Sequence, residues 1–351
     1  MPNKKIISLP NIVDSPVRLA IYGRERAARN ALRYFAYLFV ILSLVFAVNG
    51  WIRDDVFYFR LATEALILGG FAMGVDLLLG FTGLLSLGHA LFFGLGAYVS
   101  GLVLKEISPS FWLAMLITLM VSTIVGAAAG FVAIRAKGVY FALITFGMAE
   151  VVSKMVFNTR ELGGSDGIIG IPIIEVNLLV FSVNTANAPA FFILVLTLIM
   201  SLYFLIESLL HTPCGRLMVA IRANENRVPF LGFSAQHIKI IAFIIASNIC
   251  ALCGALYPML RGFVSPELMF FHASGNAVIT VIIGGIGTLI GPLYGSMILT
   301  GLKSIIGTYT EHHLIVIGLL FMMSVIFFPK GVIGYLRPIL EVRLMRIGKN
   351  K

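Results

Sequence analysis

The chain has 351 residues, of which 59% are hydrophobic and 12% charged, with a formal net charge of +10. Soluble domains are about half apolar and about a quarter charged, so too few charged side chains exist here to cover a water-facing surface. The composition excludes a soluble globular protein and points to an all-α polytopic helical bundle in a membrane.

Runs free of Asp, Glu, Lys and Arg cover Phe35 to Ile52, Leu77 to Leu104, Ile107 to Ile134, Val176 to Ile206, Ile240 to Leu260, Ala273 to Leu302 and Leu314 to Pro329. A spanning helix needs roughly 17–25 residues. The pattern predicts about ten spans (about 8–11 allowing for split runs): 35–52, 61–80, 90–104, 111–134, 139–157, 189–209, 239–260, 273–288, 290–306 and 313–328. This divides the chain into a basic segment 1–34, a transmembrane core 35–328 with a connecting loop at 210–238, and a basic tail 329–351. With the N-terminus inside, 19 of the 26 Lys and Arg fall in inside segments. The opposite side collects Asp54, Asp55, Glu106, Glu161, Asp166, Glu175, Glu267 and Glu311. The positive-inside rule then places both termini in the cytoplasm. Orientation and lipid headgroups account for the basic ends, with no nucleic-acid partner. The lead before Phe35 is too long and too basic for an ordinary cleaved signal peptide.

In chain order, the second predicted span carries Glu64 and Asp76 near its two ends. Interfacial placement suits a structural role for both, and an ion-coupled secondary carrier would use such carboxylates. Next comes "GFTGLLSLGHALFFGLGAY", where His89 is the only His, Asp, Glu, Lys or Arg between Leu77 and Leu104. Thr82, Ser86 and His89 are placed to satisfy backbone groups freed at Gly83 and Gly88. Irregular backbone at membrane depth is tolerated only where it is buried or lines a cavity, so a broken helix or re-entrant turn is predicted beside a translocation route. Whether it touches cargo stays open. An enzyme using His89 is the alternative of another class.

Glu150 and Lys154 stand at i, i+4 and are spaced for an ion pair. The outer connection 158–188 opens with "NTRELGGSDGIIGIP" and reads as an ordered loop or re-entrant piece. In 210–238, Pro213 and Pro229 bracket a pattern with Leu217, Ile221 and Val228 on one face and Arg222 and Asn226 off it, predicting a short amphipathic helix on the cytoplasmic surface. Cys250 and Cys253 form a CxxC inside an apolar span and read as small packing residues. Finally "VIIGGIGTLIGPLYGSMILTG" is interrupted by Pro292, with seven glycines between Ala273 and Leu302. Two glycine-broken segments in the two halves of a transporter point towards its conduction path, here Thr82, Gly83, Ser86, Gly88 and His89 with Gly284, Gly285 and Gly287. The chain has no phosphate-binding loop, metal motif, catalytic triad or ion-channel filter.

Seven motifs, in order, resemble the LivM-type permease subunit of branched-chain amino acid ABC importers: "LLLGFTGLLSLGHALFFGLGAY" (77–98), "KGVYFALITFGMAEVV" (137–152), "GGSDGI" (163–168), "GRLMVAIRANENRVPFLGF" (215–233), "CGALYPMLRGFVSPELM" (253–269), "VIIGGIGTLIGPLYG" (281–295) and "FFPKGVIG" (327–334). The resemblance spans about residues 60 to 335. It implies a multi-pass protein of the bacterial cytoplasmic (inner) membrane that is not itself an enzyme. It further implies a second LivH-type permease, two cytoplasmic ATPase subunits and an extracytoplasmic substrate-binding protein as partners. This chain would then bind no cofactor, and ATP-Mg would sit on the ATPases. The 215–232 stretch corresponds to the family's cytoplasmic coupling segment, implying coupling roles for Gly215, Arg216, Ala220, Ile221, Arg222, Asn224, Glu225 and Gly232. Arg216 and Arg222 would give salt-sensitive contacts, Ile221 an apolar anchor and Gly232 the exit turn. Glu225-Asn226-Arg227 departs from the small residues that relatives carry after the acid. The implied cargo is a branched-chain or other hydrophobic amino acid, with urea or short amides, carried by a sister group, as the alternative.

Overall fold

The computed structural model describes residues 16–53, 55–178, 181–309, 313–327 and 330–349. Asp54, Glu311 and the first 15 residues of the basic N-terminal segment lie outside the described residues. The structure is helical, as the composition requires: α1 (Pro16–Arg53), α2 (Val56–Asp76), α3 (Ala90–Leu102), α4 (Phe111–Ala133), α5 (Val139–Asn158), α6 (Ala188–His211), α7 (Pro213–Asn224), α8 (Ala235–Arg261), α9 (Phe271–Gly284), α10 (Gly291–Tyr309), α11 (His313–Phe327) and α12 (Gly331–Lys349). Among the described residues, seven helical segments are long and apolar enough to cross a membrane: Asn30–Ile52, Val56–Thr82, Ala90–Ile107, Phe111–Ala133, Val139–Asn158, Ala188–His211 and Ala235–Arg261. The last three predicted spans fall on α9, α10 and α11.

Helix α1, 38 residues long, joins the basic lead to the first predicted span. One boundary differs from expectation. The predicted span 273–288 stops at Gly284, leaving α9 with 14 residues. At 1.5 Å per residue α9 extends about 21 Å, short of a ~30 Å hydrocarbon core. Backbone with positive φ at Gly285 and Gly287 ends it.

Helix α2 is the central post, packed by α8, α10, α6 and α9. Its small residues explain that position. Cys253 Sγ packs onto Gly70 and Cys250 Sγ onto Gly74, filling notches that any side chain would close. Both cysteines are buried free thiols, so the CxxC is packing, as its apolar surroundings predict. Helices α3 and α8 cross with backbone nearly touching backbone: Gly96 faces the Ala251 carbonyl and Gly254 faces that of Phe93. Without a hydrophobic drive between helices in lipid, such close van der Waals contact and interhelical hydrogen bonds hold the bundle. Asn248 on α8 supplies one set, with Ser122 Oγ donating to its Oδ1 (2.6 Å) and its Nδ2 donating to Thr123 Oγ1 (3.0 Å). Ion pairs lock the helix ends: Arg33–Glu207 joins α1 to α6 and Arg261–Glu64 joins α8 to α2 (2.7 and 2.6 Å).

The described residues of the 158–188 connection add short strands to an otherwise all-α fold. β1 (Ile168–Ile169) pairs antiparallel with β4 (Phe263–Val264) after α8, and β2 (Glu175–Leu178) pairs with β3 (Phe181–Asn184) as a hairpin. The Trp112 indole donates to the Asn177 carbonyl, tying this cap to the start of α4.

Candidate translocation and coupling site

The first broken segment begins where α2 loosens into a π-helical turn, Leu77–Thr82, capped by Gly83 at φ +74°. Thr82 Oγ1 donates to the Leu78 carbonyl (2.6 Å), which also receives the Leu84 N–H (3.0 Å). No regular helix covers 83–89. Its backbone amides are met by side chains from other helices, Leu87 N by Thr145 Oγ1 of α5 (3.2 Å) and Ala90 N by Ser274 Oγ of α9 (2.9 Å). Within the segment, Ser86 Oγ shares a 2.6 Å hydrogen bond with His89 Nδ1 and accepts from Gly88 N. His89 is fully buried against Phe92 and Phe243, and its Nε2 has no hydrogen-bond partner among the described residues. Ser274 stands ten residues before the end of α9, about 15 Å along the helix axis. Helix α3 therefore starts well inside the bundle, with an irregular rising segment in place of its first turns. The predicted broken helix is present, held by hydroxyls as the Thr/Ser/His content suggests.

The second broken segment is the turn 285–290 between α9 and α10. Gly285 and Gly287 have φ of +123° and +75°, and Leu289 is the one non-glycine with positive φ (+61°) among the described residues. Thr288 Oγ1 donates to the Gly285 carbonyl and accepts from Gly291 N, closing the turn upon itself. Its remaining amides find their acceptor elsewhere. The Asp76 carboxylate at the end of α2, fully buried, accepts from Gly287 N (2.7 Å) and Leu289 N (3.1 Å). One carboxylate thus caps the turn of the opposite half of the molecule, where it is hydrogen-bonded as a buried charge must be.

Helix α7 closes this junction. Arg222 donates from Nη1 to the Gly80 carbonyl, in the π turn, and its side chain lies against both Gly83 and Gly287. The two glycine-broken segments and the predicted coupling helix therefore meet at one point. The helix is built as its sequence predicts. Thr212 caps it, Pro213 occupies its first turn, and Gly215, Met218, Ile221 and Val228 turn inward. After Asn224, whose side chain accepts from Asn226 N, a 3₁₀ stretch Glu225–Leu231 ends at Gly232 (φ +81°), the expected exit turn. Glu225 pairs at 2.6 Å with Lys239, a nearly buried lysine at the start of α8.

The structure corrects the expected direction of three side chains. Ile221 is buried on its own chain at 4% exposure, so it anchors α7 to the bundle, not to a partner. Arg222 turns to Gly80. Lys154 does not pair with Glu150; its ammonium lies over the Phe157 and Phe270 rings. Ala220 is half-buried and Arg216 exposed on α7, while Gly284 packs against the backbone of Gly291. Sequence reasoning missed Thr145, Ser274 and Lys239, whose partners are distant in sequence. It also missed the exposed apolar rim of Val219, Phe230 and Leu231, with Phe230 90% exposed. The one available signal was "PFLGF", apolar residues in a loop where polar ones are expected.

A family model described as branched-chain amino acid transport system / permease component matches residues 57–325. The chain belongs to this family. The permease is 29% identical over 331 residues to the LivM high-affinity branched-chain amino acid transport system permease protein of Escherichia coli, covering 87% of this chain and 77% of the relative. Its likeness to LivM of Salmonella typhimurium is similar, 28% over 326 residues with the same coverage. LivH of Salmonella typhimurium, the other permease type, is 22% identical over 308 residues, with 80% and 93% covered. No solved structure matches the permease. The matched region begins at the start of α2 and takes in both broken segments and α7, so the junction just described belongs to the part shared with the family.

Proposed function

We propose that this chain is the membrane permease subunit of an ATP-binding-cassette importer, translocating branched-chain or other hydrophobic amino acids inward across the bacterial cytoplasmic membrane. A LivH-type permease completes the pathway, two cytoplasmic ATPase subunits carry ATP-Mg, and an extracytoplasmic binding protein delivers the cargo. The names of the relatives support the cargo class. The observation that carries the mechanism is the bond from Arg222 on α7 to the Gly80 carbonyl, beside the Asp76-capped turn at 285–290.

In this reading α7 is a lever. Its outward face, Arg216 with Val219, Phe230 and Leu231, rests in an ATPase cleft, and Met218 and Ile221 fix it to the bundle. Displacement of α7 on nucleotide-driven closure is passed by Arg222 to the π turn and, through Asp76, to the start of α10. A π turn and a glycine turn can take such a displacement because few of their bonds belong to a regular ladder. Two of the carboxylates an ion-coupled carrier could use are already engaged, Glu64 by Arg261 and Asp76 by two amides.

The test is reconstitution. Proteoliposomes with both permeases, both ATPases and the binding protein should take up leucine with ATP, and those with this chain alone should not under any ion gradient. Gradient-driven uptake by the lone chain overturns the reading.

A further inference from the structure

Away from the coupling junction, α2, α3, α8, α9 and α10 surround a cavity of about 260 Å³. It lies towards the opposite end of the bundle: Glu64, on its wall, precedes Asp76 by twelve residues, about 18 Å along α2. By the orientation of the charges this is the extracytoplasmic half, where an importer receives cargo. The volume is below the ~300–1,000 Å³ of pockets for drug-sized ligands, and suits a small metabolite.

The lining carries two carboxylates, Glu64 and Glu267, one ammonium, Lys303, and an apolar wall. Glu64 is satisfied by Arg261. The half-buried Lys303 ammonium and the exposed Glu267 carboxylate, both on the cavity lining, have no ion pair or side-chain hydrogen bond among the described residues, and neither does the Asn276 side chain, also on the lining. Leu68, Phe93, Leu268 and Leu299 supply the hydrocarbon. A half-buried lysine that makes no ion pair is costly inside a membrane bundle, and such a group marks a functional position. A neutral ligand such as urea would leave both unmatched, and a simple cation or anion would match one.

We propose that this cavity is a transmembrane binding site for a zwitterionic α-amino acid with an aliphatic side chain. Lys303 and Asn276 take the carboxylate, Glu267 takes the ammonium, and the side chain lies on the leucine and phenylalanine wall. The proposal rests on the importer reading, and it gives this subunit a selective role of its own.

The test uses the assembled complex in nanodiscs without the binding protein, with tritiated leucine as probe. Leucine should bind, leucinol and 4-methylpentanoate should each compete at least about tenfold more weakly than leucine, and urea should not compete. Removing one partner of a desolvated charge pair is costly, so Lys303→Met and Glu267→Gln should weaken leucine binding at least about tenfold, and Lys303→Arg much less. Co-purification of the partners should not change. Absence of leucine binding, equal competition by the analogues or by urea, or wild-type affinity in both charge-removing variants overturns the proposal. The analogue series needs no substitution, so it decides even if a variant misfolds. If ATP-driven leucine uptake by the wild-type complex persists in any of these cases, the cavity alone is wrong; if uptake itself is absent, the importer reading fails.

Discussion

Removing the Asp76 carboxylate should free the turn between α9 and α10 while leaving the bundle assembled. The carboxylate is fully buried and accepts from two backbone amides, at 2.7 Å from Gly287 and 3.1 Å from Leu289. Hydrogen bonds to charged groups contribute about 1.5–3 kcal/mol each. Asp76→Ala deletes both and strands two donors, so ~3–6 kcal/mol of local stability should go. Asp76→Asn keeps one acceptor but turns its NH₂ towards the other amide, and should lose about half as much or more. Each ~1.4 kcal/mol is a factor of ten in an equilibrium constant. Hydrogen exchange in a peptide covering 285–290 should then accelerate about a hundredfold or more in the alanine variant, provided the wild-type turn exchanges by local opening. Peptides from α8, remote from the turn, serve as the internal control. Exchange in 285–290 within twofold of wild type, in a folded Asp76→Ala protein, would refute the account of Asp76 as the cap.

Arg222→Glu puts a carboxylate where the guanidinium met the Gly80 carbonyl and beside Asp76; ATP-driven uptake should fall at least about tenfold, and undiminished uptake would remove Arg222 from the coupling path. Phe230→Ser with Leu231→Ser strips the outward apolar rim of the coupling segment, so the ATPases should co-purify poorly while the permease melts as before; normal co-purification would mean that the rim is not the docking surface. Gly254→Leu drives a side chain into the Phe93 carbonyl at the crossing of α3 and α8. Overpacking of this kind costs about 1–3 kcal/mol or more, and the yield of folded protein in detergent should drop, whereas Gly147→Ala, at a site open on all sides, should leave it unchanged.

Much of this molecule could be read locally. Membrane spans follow from runs of apolar residues, and the amphipathic α7 from the spacing of Leu217 and Ile221 after Pro213. The broken helix at 83–89 was legible too, because glycines weaken the helix in place and Thr82, Ser86 and His89 offer short-range substitutes for its lost hydrogen bonds. Each of these depends on neighbours within about two turns, and a sequence displays such neighbours directly. The role of Asp76 was not legible, since a carboxylate at the end of a span suits an interface, a proton site or a cap equally well. Only the fold brings it to amides 211 and 213 residues away. The same holds for Arg222, aimed at a carbonyl 142 residues earlier, and for Lys303 and Glu267, which share a cavity although they lie on different elements. Backbone amides and carbonyls are identical at every position of a chain, so a side chain that bonds to them leaves no mark on its partner's sequence. Hydropathy and periodicity chose the helices, and the packing of those helices decided which polar groups would meet.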